Sequence, residues 1–228
     1  AAAAGRRALG AEATAALLAP YGVRFAPTRS ARTTEEAVAA AGEIGYPVAL
    51  KVESPAIQHK TEVGGVRLGV ADADEARRAF GELVERTRRH RPDAQIDGVL
   101  VQRMVEGGVE VVVGLHQDPQ FGPVVMAGLG GVLVEVLEDI AFRAAPITAA
   151  EAEAMLRELR GYRVLEGARG RPRADVPALV DLLVGVSRFA VDSAGVLAAL
   201  DLNPVAVLPE GQGAVAVDAL AVLNEPGR

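Results

Sequence analysis

The segment from Gly45 to Leu68, GYPVALKVESPAIQHKTEVGGVRL, constrains this chain more than any other. It opens as an apolar strand, Val48–Val52, whose one charge is Lys51. His59, Lys60 and the pair Gly64-Gly65 follow, and a second strand runs over Val66–Val70. An apolar strand gains no stability from a lysine unless the amine meets an anion. Either Lys51 ends its strand with the amine in water, or it sits in a cleft and grips phosphate. The apolar neighbours on both sides favour the cleft. A glycine pair lets backbone N–H groups approach a ligand closely, although it also suits a plain tight turn. The pattern predicts a phosphate-handling hairpin with a histidine beside it.

A chain of 228 residues is long enough to bury a core as one large domain or two lobes. Half of the residues are apolar and aromatics are scarce, an ordinary globular α/β composition. The net charge of −6 argues against a nucleic-acid surface. Without cysteine there is no disulfide, thiolate metal site or cysteine nucleophile. The longest uncharged apolar run, residues 123–134, contains three glycines and is too short to span a bilayer. The first ten residues lack the apolar core of a secretion signal, so a cytoplasmic location is expected, with no membrane partner. They also lack an initiator Met, which suggests a processed chain or a piece of a longer one.

Helix and strand patterns alternate along the chain. The periodicity predicts helices over Ala8–Ala19, closed by Pro20, and over 35–44 after the capping signal Thr33-Thr34-Glu35-Glu36. A third is expected from Asp72 to Arg89, with Phe80, Leu83 and Val84 inward and most arginines outward. Its cluster Arg86, Arg88, Arg89, Arg91 reads as a solvated helix end or a docking patch. Strands are expected at Val99–Met104, Glu110–His116, Val124–Gly128 and Ala141–Ala145. Helices follow at Ala149–Arg160 and Val176–Val191. Leu197–Leu202 then precedes a hairpin of Val205–Leu208 with Ala214–Val217, turned at Pro209-Glu210-Gly211. The organisation expected is an α/β lobe over about 20–96 and a sheet-rich lobe over 97–228. Two lobes with short connections suggest a ligand cleft.

Further constellations carry possible chemistry. Asn203 in Asp201-Leu202-Asn203-Pro204 and Asp218 fifteen residues later come close if their strands pair. An amide oxygen and a carboxylate suit Mg²⁺, which takes few protein oxygens; the alternative is an Asn-Pro turn and a surface acid. His90 reads as solvated and His116 as a turn residue. His59 differs, since a neutral imidazole near Lys51 and the glycine pair has a free nitrogen able to attack a phosphoryl group. Glu110 binds a ribose hydroxyl or simply starts a strand. Gly128-Leu129-Gly130-Gly131, followed by Glu135, Asp139 and Arg143, lines a phosphate pocket or forms an exposed charged edge.

In this order the motifs GYPVALKVESPAIQHKTEVGGVRL, EVVVGLHQDPQFGPVVMAGLGGVLVEVLEDIAFRAAPI and LDLNPVAV resemble the ATP-grasp domain of the nucleoside-diphosphate-forming acyl-CoA synthetases. This family includes the ADP-forming acetyl-CoA synthetases and is related to the succinyl-CoA synthetase β chain. The resemblance covers about Ala8 to Leu223. It implies an ATP-grasp fold of α/β (α+β) class, in which two lobes hold ATP or ADP between them. It implies that Lys51, Gly64 and Gly65 contact the phosphates and that Val101–Val105, with Gln102 and Met104, form the hinge against adenine. Glu110 would bind ribose, Asn203 and Asp218 Mg²⁺, and His59 would carry the phosphoryl group as a phosphohistidine.

The implied reaction is acyl-CoA + ADP + phosphate ⇌ carboxylate + CoA + ATP. The family's CoA-binding and CoA-ligase domains do not fit in this chain. The resemblance therefore implies an α subunit or fused domains as partner, and a hetero-oligomer in the complete enzyme. The alternative is a non-catalytic sensor module, as in proteins that fuse such regions to an acetyltransferase.

Overall fold

A computed structural model describes residues 8–54, 56–57, 60, 63–130, 139–167 and 170–224. The elements in chain order are β1 (Ala8–Leu9), α1 (Ala11–Leu18), β2 (Thr28–Ala31), α2 (Thr34–Ile44), β3 (Val48–Glu53) and β4 (Val66–Val70). Next come α3 (Ala73–His90), β5 (Gly98–Arg103), β6 (Val109–Asp118), β7 (Gly122–Leu129), β8 (Ile140–Ala144) and α4 (Ala149–Arg157). The last are α5 (Val176–Asp192), β9 (Leu197–Val207), β10 (Ala214–Ala216) and β11 (Ala219–Leu223). They form two compact units, residues 26–105 and residues 1–25 with 106–228. The smaller unit extends past residue 96 because β5 is locked between β2 and β3, with Val101 opposite both Arg29 and Leu50.

The smaller unit is a four-stranded antiparallel sheet of order β2-β5-β3-β4. Helices α2 and α3 cover one face. Val48, Leu50, Val99 and Val101 pack there with Ala37, Ala41, Ala76, Phe80 and Leu83. The small side chains of α2 allow its backbone to approach the strands. Both helices start where side-chain oxygens replace missing helical acceptors. Thr33 Oγ1 accepts the Glu36 N–H at 3.2 Å, and Asp72 accepts that of Glu75 at 2.8 Å.

The larger unit has a sheet of order β1-β11-β9-β6-β7-β8, with β10 also paired to β9. One face, carrying Val111, Val113, Leu115, Val125, Ala127, Leu200, Leu202 and Val205, is buried in a common core with Leu156, Leu179, Leu183, Val186 and Phe189. Each leucine buried there contributes on the order of 1.5–3 kcal/mol. Strand alternation leaves the opposite face with Glu110, His116, Asp201 and Asn203, all exposed. Two buried carboxylates fix the connections. Asp139 accepts the Arg160 and Gly161 N–H groups, each at 2.8 Å. Asp175 caps α5 through Ala178 at 3.2 Å and accepts the Gly213 N–H at 2.8 Å.

Several elements differ from expectation. The first helix starts later because Ala8 and Leu9 pair with Val222 and Ala221, and it ends in a 3-10 turn containing Pro20. Strands β2 and β11 were not anticipated. Thr-Arg-Ser-Ala has little apolar content, and its pairing with β5 overrides weak local preference. Helix α4 ends at Arg157, short of the expected Arg160, whose N–H is taken by Asp139. Leu197–Val207 is one strand instead of two, because β9 passes through the cis Asn203-Pro204 bond with a register shift opposite Val111 and Val113. No helix among the described residues is long and apolar enough to cross a membrane.

Candidate functional site

On β3, Val48 and Leu50 face the helices, so Lys51 projects from the other side of the sheet. Lys51 is nevertheless only 9% exposed, which removes the solvated strand-end alternative. It stands between Leu100 of β5 and Val66 of β4. Gln102 shares this face, opposite Ala49 and Thr28, and is 2% exposed. Its amide donates to Thr28 Oγ1 at 3.1 Å, and that hydroxyl donates to the Ala26 carbonyl at 2.8 Å. A buried amide is thus held in a defined orientation. Thr28 escaped the sequence reading because β2 did.

The glycine pair has a structural task. Gly64 has φ +63°, in the left-handed region, and a Cβ there would lie 2.4 Å from Cδ of Arg86. A Cβ on Gly65 would lie 2.5 Å from Cγ1 of Val52. The Gly65 N–H donates to the Lys60 carbonyl at 2.8 Å, and its own carbonyl accepts the Val52 N–H at 2.8 Å. The Gly65 amide is thus already used inside the turn. His59 lies outside the described residues, as do Gly131 and Glu135.

Val101, the first residue of the expected hinge segment, faces the core. Its side chain is fully buried among the helix-facing residues, and its backbone lies between two partner strands. Met104, just beyond β5, is half-buried and donates its N–H to the Pro47 carbonyl at 3.2 Å.

In the larger unit, Glu110 is the second residue of β6 on the open face, opposite Ala206, and its carbonyl accepts the Gly130 N–H at 2.7 Å. Asn203 and Asp218 are brought together: the Asn203 N–H donates to the Asp218 carbonyl at 3.2 Å. The Asp218 carboxylate accepts the Ala219 N–H at 2.9 Å. Asp201, two residues before Asn203 on the same face, had no role assigned from sequence. Desolvation first, then the neighbouring Asp218 charge, raise its carboxyl above the ordinary 3.8. The alternation Asp201-x-Asn203 was the available signal.

The remaining charges resolve differently. Arg143 pairs with Glu158, and Asp139 is buried against backbone amides, so neither lines a phosphate pocket nor forms a free charged edge. His116 lies within β6 instead of at a turn, because the strand continues to Asp118. His90 is exposed at the end of α3, its Nδ1 2.9 Å from the Arg86 carbonyl.

The model of the ATP-grasp domain matches residues 1–223. The chain belongs to the ATP-grasp domain family. This ATP-grasp chain is 44% identical over 208 residues to the β subunit of ADP-forming acetate–CoA ligase II of Pyrococcus furiosus, covering 91% of this chain and 88% of that one. It is 49% identical over 221 residues to ADP-forming acetate–CoA ligase I of Archaeoglobus fulgidus, covering 97% of this chain but 32% of that enzyme. It thus spans about a third of the Archaeoglobus fulgidus enzyme and most of the Pyrococcus furiosus subunit.

The ATP-grasp fold superposes on acetyl-coenzyme A synthetase 1 of Ca. Korarchaeum cryptofilum in complex with coenzyme A and Ca-AMPCP. The TM-score is 0.93 at 41% identity, over 96% of this chain and 95% of that one. A second structure of that enzyme holds coenzyme A and Mg-AMPPCP with its phosphohistidine segment pointing towards the nucleotide site. Its TM-score is 0.84 at 39% identity, over 96% and 94% of the two chains.

Proposed function

We propose that this chain is the nucleotide-binding, phosphoryl-transferring component of an ADP-forming acyl-CoA synthetase. The observation that carries the reading is Lys51, a lysine 9% exposed on an otherwise apolar strand, in a chain that matches 88% of an acetate–CoA ligase β subunit. The Lys51 ammonium lies on the sheet face that the helices leave uncovered, where a compact cation suits nucleotide phosphates. In this reading Gln102 and Met104 serve the adenine side and Glu110 the ribose.

The donor set fits Mg²⁺. Asn203 and Asp218 are hydrogen-bonded neighbours, and Asp201 lies on the same face with its carboxyl raised partly by Asp218. Oxygen donors whose negative charges crowd one another match a hard divalent cation. When bound, Mg²⁺ would neutralise phosphate charge. Asn203 and Asp218 would hold it, and Lys51 would orient the nucleotide's phosphates.

His59 serves as the phosphoryl acceptor. A ring-nitrogen lone pair forms the P–N bond to the γ-phosphorus as its bond to the β,γ-bridging oxygen breaks. That oxygen keeps the electron pair and leaves as part of ADP; ATP synthesis runs the same exchange backwards. CoA binding and acyl-phosphate chemistry belong to an α subunit or fused domains. The test is labelling by γ-phosphate-labelled ATP and Mg²⁺. Acid-labile, base-stable label is expected on the chain and is lost in His59→Ala, while nucleotide affinity is retained. Equal labelling of His59→Ala would overturn the relay.

A further inference from the structure

On its helical side the larger unit holds a cavity of about 510 Å³. One wall is the face of α4 that carries Ala149, Glu153 and Arg157, and the opposite wall is the first turns of α5. Leu165, Ala174 and Val180, all buried, make an apolar floor with half-buried Val176. Both helices pack on the buried face of the sheet, so the sheet separates this cavity from Glu110, Asp201 and Asn203. Its volume suits a small organic molecule. The charged lining is one-sided: Glu153, Glu166, Asp181 and Glu210 stand against Arg157 and Arg173. Arg157 is already engaged. Glu153 accepts from its Nε at 3.2 Å and its Nη2 at 2.7 Å, and its guanidinium lies 5.3 Å from the Tyr162 ring centroid. Glu166, Asp181 and Glu210 form no ion pair among the described residues, so three carboxylates remain against Arg173.

Neither helix start that lines the cavity invites an anion. Thr148 and Glu151 cap α4, Asp175 caps α5, and Pro177 has no N–H to offer. A bare metal ion is no better served, because among the described residues no three acidic or histidine groups converge to hold one. We propose that this cavity binds a small organic cation, an ammonium or guanidinium carried on an apolar body of about one or two rings. The body rests on Leu165, Val176 and Val180, and the head is met by Glu166, Asp181 and Glu210. Apolar floor and acidic rim together select such a molecule, since a neutral guest leaves the charges unanswered and an anion is repelled by them.

Tryptamine, tryptophol and indolepropionate share one ring system and differ in charge, so they probe the full chain directly. Tryptamine is expected to bind with a dissociation constant of about 1 mM or tighter, and to shift the amide NMR signals of α4 and of Leu165 and Glu166. Tryptophol should bind about tenfold more weakly, and indolepropionate more weakly still. Two variants carry the test into the cavity from exposed positions. Asp181→Asn combined with Glu210→Gln should lower tryptamine affinity about fivefold, with tryptophol affinity within about twofold of wild type. Ala150→Trp fills the space beside α4 and should abolish binding of both. Undetected tryptamine binding at about 10 mM, equal affinity for all three probes, or shifts that map outside the cavity would each overturn the cation site.

Discussion

In the smaller sheet the candidate cation lies within the protein, whereas in the larger sheet the candidate anions face outward. Lys51 and Gln102 are both almost wholly buried, yet they project from the face that α2 and α3 leave uncovered. Glu110, Asp201 and Asn203 project from the corresponding uncovered face of the larger sheet and are exposed. The difference is energetic. A buried ammonium costs several kcal/mol unless it is paired, so Lys51 is tied to its partners. An exposed carboxylate such as Glu110 costs little, and Asp201, only partly desolvated, responds by a raised pKa, so these groups can wait for a cation. One sheet therefore holds its charge in place beforehand, and the other keeps its charges available.

Lys51→Ala should break this contrast most severely. Nucleotide affinity measured by calorimetry is expected to fall by about 100-fold or more, and Lys51→Arg should not restore it, since the planar fork differs from a compact ammonium. An affinity within threefold of wild type would refute the phosphate role. Asp139→Ala comes next, because it removes one of the larger unit's two buried carboxylates and leaves two amides without an acceptor. A stability loss of about 2 kcal/mol is expected in urea titration, and intact stability would show that water replaces the carboxylate.

Asp218→Asn should raise the Mg²⁺ concentration for half-maximal labelling by about tenfold, with little change in metal-free nucleotide binding. Equal loss in both would make Asp218 structural. The smallest effects come from Glu75→Gln and Glu151→Gln, one in each unit. Glu75 is held below 4.5 by the Ala71 amide and Arg67, and Glu151 by the Thr148 amide and hydroxyl. Each therefore contributes stability that is present above 4.5 and lost as pH falls through its lower native value. The variants should flatten that part of the urea midpoint's pH dependence between about pH 7 and about pH 3. An unchanged slope would show that these exposed carboxylates contribute nothing measurable.

Much of the fold was legible in periodicity and caps. Thr33, Asp72 and the strand Val48–Glu53 are fixed by local chemistry, and each stands in the fold where that chemistry puts it. Strands β2 and β11 were not legible, because short segments of mixed polarity become strands only when a partner edge is present. The candidate site shows the same division. A lone lysine in an apolar strand and an Asn-Pro pair with a later Asp are visible in one dimension. Which face each residue takes is not.

The sequence by itself determined the element order, the family and the residue types able to hold phosphate and metal, since these depend on local pattern and chemistry. Tertiary structure alone decided that Val101 points into the core, that the Gly65 amide is already used, and that Asp201 joins Asn203 and Asp218 on one face. It also decided that the Arg86 side chain packs against Gly64. Each of these depends on which strand lies alongside and which helix packs above, relations that arise only when residues far apart in sequence meet.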